Sequence, residues 1–151
     1  MAVLSTHRPL QPLHPLHALL LSFLFPLFLG TLISDIAYWR SYQIQWVNFA
    51  QWLNAGGLLM GGLALLWAVV TAIRPRGTGN ARPVLYLVLL AAAWVVGFLN
   101  ALIHAKDAWA AMPAGLWLSA ASTLLALAAT WIGYSGLTDM RYAMRPDGRR
   151  V

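Results

Sequence analysis

Four long apolar stretches dominate this chain, over Leu16–Tyr38, Phe49–Ile73, Pro83–Ile103 and Met112–Ser135. Each reaches the length an α-helix needs to cross about 30 Å of hydrocarbon at about 1.5 Å per residue. Charged side chains are almost missing from them, and only 9% of the 151 residues are charged against 60% hydrophobic. A soluble domain carries about 25% charged residues, so the solvent for most of this chain is a bilayer. Every backbone polar group must then be satisfied inside the segment, which for spans of this length means helix. The expected fold is all-α: a four-span antiparallel membrane bundle, residues 1–151 forming one membrane domain with a short N-terminal segment (1–15) and a basic tail (137–151). The apolar run after Arg8 could pass for a signal peptide, but it continues to Tyr38 without a small-x-small cleavage site, so it reads as a retained first helix.

The ten basic residues set an orientation. With four spans, Arg8, Arg74, Arg76, Arg82, Arg141, Arg145, Arg149 and Arg150 fall on one side and Arg40 and Lys106 on the other. All lie in short loops or tails, where the positive-inside rule applies. The arginine-rich side is expected to be cytoplasmic, giving a multi-pass protein of a bacterial inner membrane with both termini inside. A net charge of +6 in this setting points to anionic lipid headgroups as partners and away from nucleic acid. The absence of cysteine excludes disulfides, iron–sulfur clusters, thiolate haem ligation and cysteine catalysis. No zincin, calcium-loop, phosphate-loop or nucleophile-elbow pattern is present, and no enzymatic activity is expected.

Small residues mark the expected packing faces, because helices associate in lipid through close backbone approach. Gly57 and Gly61 form a Gly-x-x-x-Gly pair in the second span; Ala93, Gly97 and Ala101 form a stripe in the third; Ser122, Ala126 and Thr130 do so in the fourth. Packing within the bundle is one use of the Gly57–Gly61 face, and homodimerisation the other. Pro26, in the middle of the first span, removes a backbone hydrogen bond and predicts a kink.

Polar residues at membrane depth are costly and are functional candidates by default. His14 and His17 flank Pro15 at the start of the first span and share a helix face. With His104 they are the candidates for a haem b, metal, quinone or proton site, competing with plain capping and interface roles. The two ends of the bundle would separate them by roughly 30 Å, so no single haem could use both groups. Asn100, His104 and Asp107 recur at i, i+4 and i+7, and Asp35 and Asn54 lie at similar depth. Asp35, Asn54, Asn100 and Asp107 thus form a candidate polar cluster with His104: a register-fixing plug on one view, a proton, quinone or cofactor site on the other. Trp39, Tyr42, Trp46 and Trp109 crowd the non-cytoplasmic side. They make an aromatic belt or a docking surface for a periplasmic protein.

At His14-Pro15-Leu16-His17 and the span after it, with four spans overall and the Gly-rich Gly56–Gly62 segment, the chain resembles a bacterial membrane family labelled domain of unknown function 2231. The likeness runs from about Leu13 to Gly136. One departure is that the third span opens Arg82-Pro83-Val84-Leu85-Tyr86 without the histidine often found there. The resemblance implies no defined activity; relatives accompany periplasmic redox enzymes such as quinoprotein sugar dehydrogenases. The tryptophan- and tyrosine-rich side without a catalytic motif leads to the expected function, a non-catalytic membrane subunit or anchor that docks a periplasmic partner, of the redox type that the resemblance implies. A haem b- or quinone-linked electron or proton carrier, motivated by His14, His17 and His104, is the alternative and a small transporter third.

Overall fold

In the computed structural model, which describes residues 14–73, 82–106 and 108–143, the chain forms α1 (Pro15–Ser41), α2 (Ile44–Ile73), α3 (Arg82–His104), a single turn α4 (Ala108–Ala111) and α5 (Ala114–Ala143). Helices α1, α2, α3 and α5 are each long and apolar enough to cross a membrane. Their boundaries exceed the apolar stretches at several ends. Tyr38–Phe49, which looks like a loop because it is rich in polar and aromatic residues, is helical except for Tyr42 and Gln43. It contains no glycine or proline to interrupt the hydrogen-bond ladder. The break comes from one residue: Tyr42 adopts a left-handed conformation (φ 54°) and its N–H donates to the carbonyl of Tyr38, the αL way of closing a helix. At the other end of the chain α5 continues to Ala143, into the expected tail; residues 144–151 lie outside the described part.

Helix α1 starts as its sequence suggests. Pro15 occupies the first turn, where its missing N–H is not needed. His14 is the N-cap, its Nδ1 accepting from the N–H of Leu16 at 3.3 Å. Pro26 lies inside α1, which runs through it as one helix. Helix α1 packs on α2 and α5, and α3 packs on the same two, closing a four-helix ring with short antiparallel connections.

The middle of the ring is an apolar layer of Leu21, Leu24, Phe28 and Leu90, all fully buried, lined by small residues. The Phe28 ring explains two of the glycines. A Cβ on Gly57 would lie 3.1 Å from it, and one on Gly97 2.7 Å. Gly61 opposes Leu24 in the same way, at 2.7 Å. The Gly57–Gly61 face is thus occupied by α1 of the same chain. Ala93 is buried beside these contacts and Ala101 is half-buried near the end of α3. The Trp94 indole donates across to the carbonyl of Leu58 at 3.0 Å, tying α3 to α2.

Candidate functional site

Two polar layers sit above and below the apolar one. The larger lies at the end carrying the Tyr42–Gln43 turn, and three helices build it. Asp35 comes from α1, two turns before its end; Asn100 and His104 come from the last two turns of α3; Ser119 comes from the second turn of α5. All four are buried, with Asp35 at 0% and His104 at 1% exposure. His104 Nε2 lies 2.8 Å from Asp35 Oδ1, and His104 Nδ1 lies 3.0 Å from the backbone carbonyl of Asn100. The Ser119 hydroxyl donates to the other carboxylate oxygen of Asp35 in a short hydrogen bond. The Asn100 amide donates to Ser119 Oγ at 2.8 Å.

This geometry restricts where protons can be. A carbonyl only accepts, so His104 Nδ1 carries a hydrogen. Ser119 donates its single hydrogen to Oδ2. One further proton must then sit between Nε2 and Oδ1, because two lone pairs would otherwise face each other at 2.8 Å. The pair is either imidazolium with carboxylate or imidazole with carboxylic acid. It is neutral as a whole in both forms, which suits a buried site.

Helix α5 makes room for the ring at Gly115, where a Cβ would come within 2.9 Å of His104 Cε1. On the opposite flank, Gln51 Nε2 on α2 donates to the backbone carbonyl of His104 at 2.6 Å. A recess of about 350 Å³ opens there, walled by Gln51, Ala101, His104 and Ala105. Asn54 joins the same layer from α2 by donating to the carbonyl of Gly97 at 3.1 Å. Its Oδ1, like that of Asn100, is buried without a partner among the described residues. Asp107 lies outside the described residues.

The second polar layer is at the other end. His17 is buried and its Nε2 lies 2.8 Å from the Tyr86 hydroxyl on α3. The Trp67 ring on α2 faces both His14 and His17, at centroid distances of 4.9 Å and 6.1 Å. Tyr134 on α5 donates to the carbonyl of Ala18 at 2.6 Å. The structure therefore brings His14 and His17 together around Trp67 and keeps them 18 residues of helix, about 27 Å, from the level of Asp35.

These contacts bear on haem and metal ligation. Both ring nitrogens of His104 are taken, by Asn100 and Asp35, so a metal there would have to displace a protein partner. At His17 the Nε2 is taken by Tyr86, whereas the Nδ1 is buried without a hydrogen-bond partner among the described residues. Among the described residues, no three His, Asp or Glu side chains are grouped to hold a metal ion. Trp39 and Trp46 stand exposed on either side of the Tyr42–Gln43 turn, with Trp46 against Phe49, while the side chain of Trp109 is outside the described part.

Sequence reasoning missed Ser119, Gly115, Gln51, Tyr86 and Trp67. Ser and Gly are frequent in membrane helices as packing residues, and nothing in their spacing distinguishes a hydroxyl that meets a carboxylate from one that returns to its own backbone, as Thr31 and Ser34 do.

No curated protein and no solved structure gives a significant match to the chain. A family model described as "Predicted membrane protein (DUF2231)" matches residues 13–145, a stretch holding both polar layers and all four candidate spans. The chain belongs to the DUF2231 family of predicted membrane proteins.

Proposed function

We propose that this protein is a proton-responsive membrane subunit, in which the protonation state of the Asp35–His104 pair sets how α1 packs against α3 and α5. The observation that carries this is the single proton required between His104 Nε2 and Asp35 Oδ1. Removing it leaves the imidazole one hydrogen for two acceptors, Asp35 and the carbonyl of Asn100; adding another puts a hydrogen on both members of the pair. Either change forces the contacts that join α1 to α3 to rearrange. A buried imidazole–carboxylate pair in a span is expensive to keep, and histidine is the side chain suited to titration near neutral pH. In this reading residues 1–151 are one membrane domain of a bacterial inner membrane. The arginine-rich end faces the cytoplasm beside anionic lipids, and the Asp35–His104 end faces the periplasm.

The test uses the chain's lack of cysteine. Spin labels on Ser41→Cys and Ala105→Cys, both exposed near the pair, report the α1–α3 distance in nanodiscs. The expected result is a distance that changes with pH in the parent protein and is constant in Asp35→Asn and in His104→Gln. An unchanging distance in the parent, or a Soret band in the oxidised-minus-reduced spectrum that vanishes in His104→Ala, would overturn the reading in favour of a redox carrier.

A second reading, a membrane anchor docking a periplasmic redox partner, draws on Trp39 and Trp46. Both are exposed on either side of a two-residue turn, and tryptophan is a frequent interface anchor. If a protein that co-purifies from native membranes stays bound to Trp39→Ala/Trp46→Ala, that role fails for these two side chains.

A further inference from the structure

The surroundings of the Asp35–His104 pair differ on its two sides along the membrane normal. Beside the pair, between the ends of α2 and α3 nearest the Tyr42–Gln43 turn, there is a recess of about 350 Å³ lined by Gln51, Ala101, His104 and Ala105, against which the His104 side chain is 1% exposed. Toward the other end the next layers are Phe28, Leu24 and Leu21, all fully buried. From Asp35 to Leu21 is 14 residues of α1, about 21 Å. A proton crossing that distance needs a chain of groups free to exchange hydrogen bonds. Three hydroxyls there are committed to backbone, Thr31 to the carbonyl of Leu27, Ser34 to that of Gly30, and Thr123 to those of Phe28 and Ser119. A fourth, Thr130 Oγ1 on α5, is buried without any partner among the described residues and so has no neighbour to relay a proton to. Beyond them Leu21, Leu24, Phe28 and Leu90 close the centre of the ring against alanines of α2 and α5.

We infer that the Asp35–His104 pair exchanges its proton with one side of the membrane only, through the recess between α2 and α3 at the Tyr42–Gln43 end. The inference rests on the proton-responsive reading above and adds to it which compartment is sensed. Helix α2 carries no titratable side chain, and near this end α5 presents the hydroxyls of Ser119, Ser122 and Thr123. Among the described residues, the titratable and charged groups nearby are Tyr38, buried, Arg40, exposed, and the helix-capping Tyr42, exposed, from the α1 end, and Lys106, exposed, just after α3. The layer of His17, Tyr86 and Tyr134 lies across the apolar core and belongs to the other compartment. The same seal argues against the chain acting as a proton-conducting transporter.

The experiment uses the whole chain labelled with ¹⁵N-histidine, reconstituted in one orientation into sealed liposomes with separately buffered inside and outside. Solid-state NMR follows the His104 ring resonances, assigned by their loss in His104→Gln. The expected result is a response when pH changes on the Tyr42–Gln43 side and none when it changes on the other. In the parent the exchange rate should also fall at least about tenfold on narrowing the recess with Ala105→Leu, a barrier increase of about 1.4 kcal/mol. Ala105 is exposed, so this variant does not disturb the core; Ala101→Leu provides a second obstruction. A response to both compartments, or equal rates in the parent and both leucine variants, would overturn the one-sided route while leaving the proton-responsive reading intact. No response from either compartment would overturn both.

Discussion

Replacing Asp35 by alanine removes the partner of two buried hydrogen bonds at once, to His104 on α3 and Ser119 on α5. The magnitude follows from what is left behind. Hydrogen bonds between membrane helices contribute about 0.6 kcal/mol on average and up to about 1.7 kcal/mol. A buried donor stranded without a partner costs about 1–3 kcal/mol. With two polar groups stranded, His104 Nε2 and the Ser119 hydroxyl, Asp35→Ala should destabilise the fold by about 2–4 kcal/mol. His104→Ala should cost a similar amount, because it strands one carboxylate oxygen and opens a gap above Gly115. The double variant should not cost the sum. Once Asp35 is gone, removing His104 also removes a stranded polar group, so the coupling should be about 1–3 kcal/mol. Asp35→Asn should fall between parent and Asp35→Ala, since its amide oxygen still accepts from His104 while its NH₂ faces the Ser119 oxygen. Reversible unfolding in bicelles, by steric trapping or a denaturing detergent, measures all four variants. Additivity of the two alanine changes within about 0.5 kcal/mol would refute the claim that these side chains act as a unit.

Other expectations follow from the same packing. Phe28→Ala should destabilise by about 3–5 kcal/mol, read in the same unfolding assay, because the ring fills the space between Gly57 and Gly97. Gly61→Leu should lower stability by displacing Leu24 and leave the oligomeric state unchanged in analytical ultracentrifugation, since that face is already covered by α1. Tyr86→Phe should cost no more than about 1.7 kcal/mol by removing one partner of His17, with no effect on the His104 resonances. Gly115→Val should shift those resonances, because its side chain would occupy the place of the His104 ring edge.

The spans were legible because bilayer thickness and the cost of exposed backbone polar groups leave helix as the solution for a long apolar run. The same reasoning misplaced the Tyr38–Phe49 connection. Composition there suggested a loop, whereas one left-handed residue, Tyr42, suffices to turn the chain. Asp35, Asn100 and His104 were suspect from their depth alone. Their partners were not: Ser119 is one of several hydroxyls on α5, and only the register of α5 against α1 and α3 makes it the one that meets a carboxylate.

Composition and hydropathy, read along the chain, therefore determined the solvent, the helical class and the number of candidate spans, since each is a property of a segment in isolation. Which nitrogen of which histidine is engaged, that Gly57 and Gly61 serve α1 of the same chain, and that Asp35 and His104 hold one proton between them were decided by tertiary structure. The physical reason is that a hydrogen bond or a close packing contact is defined to a few tenths of an ångström between helices 69 residues apart in the chain, and no periodicity within one helix encodes how far its neighbour is rotated or slid along it.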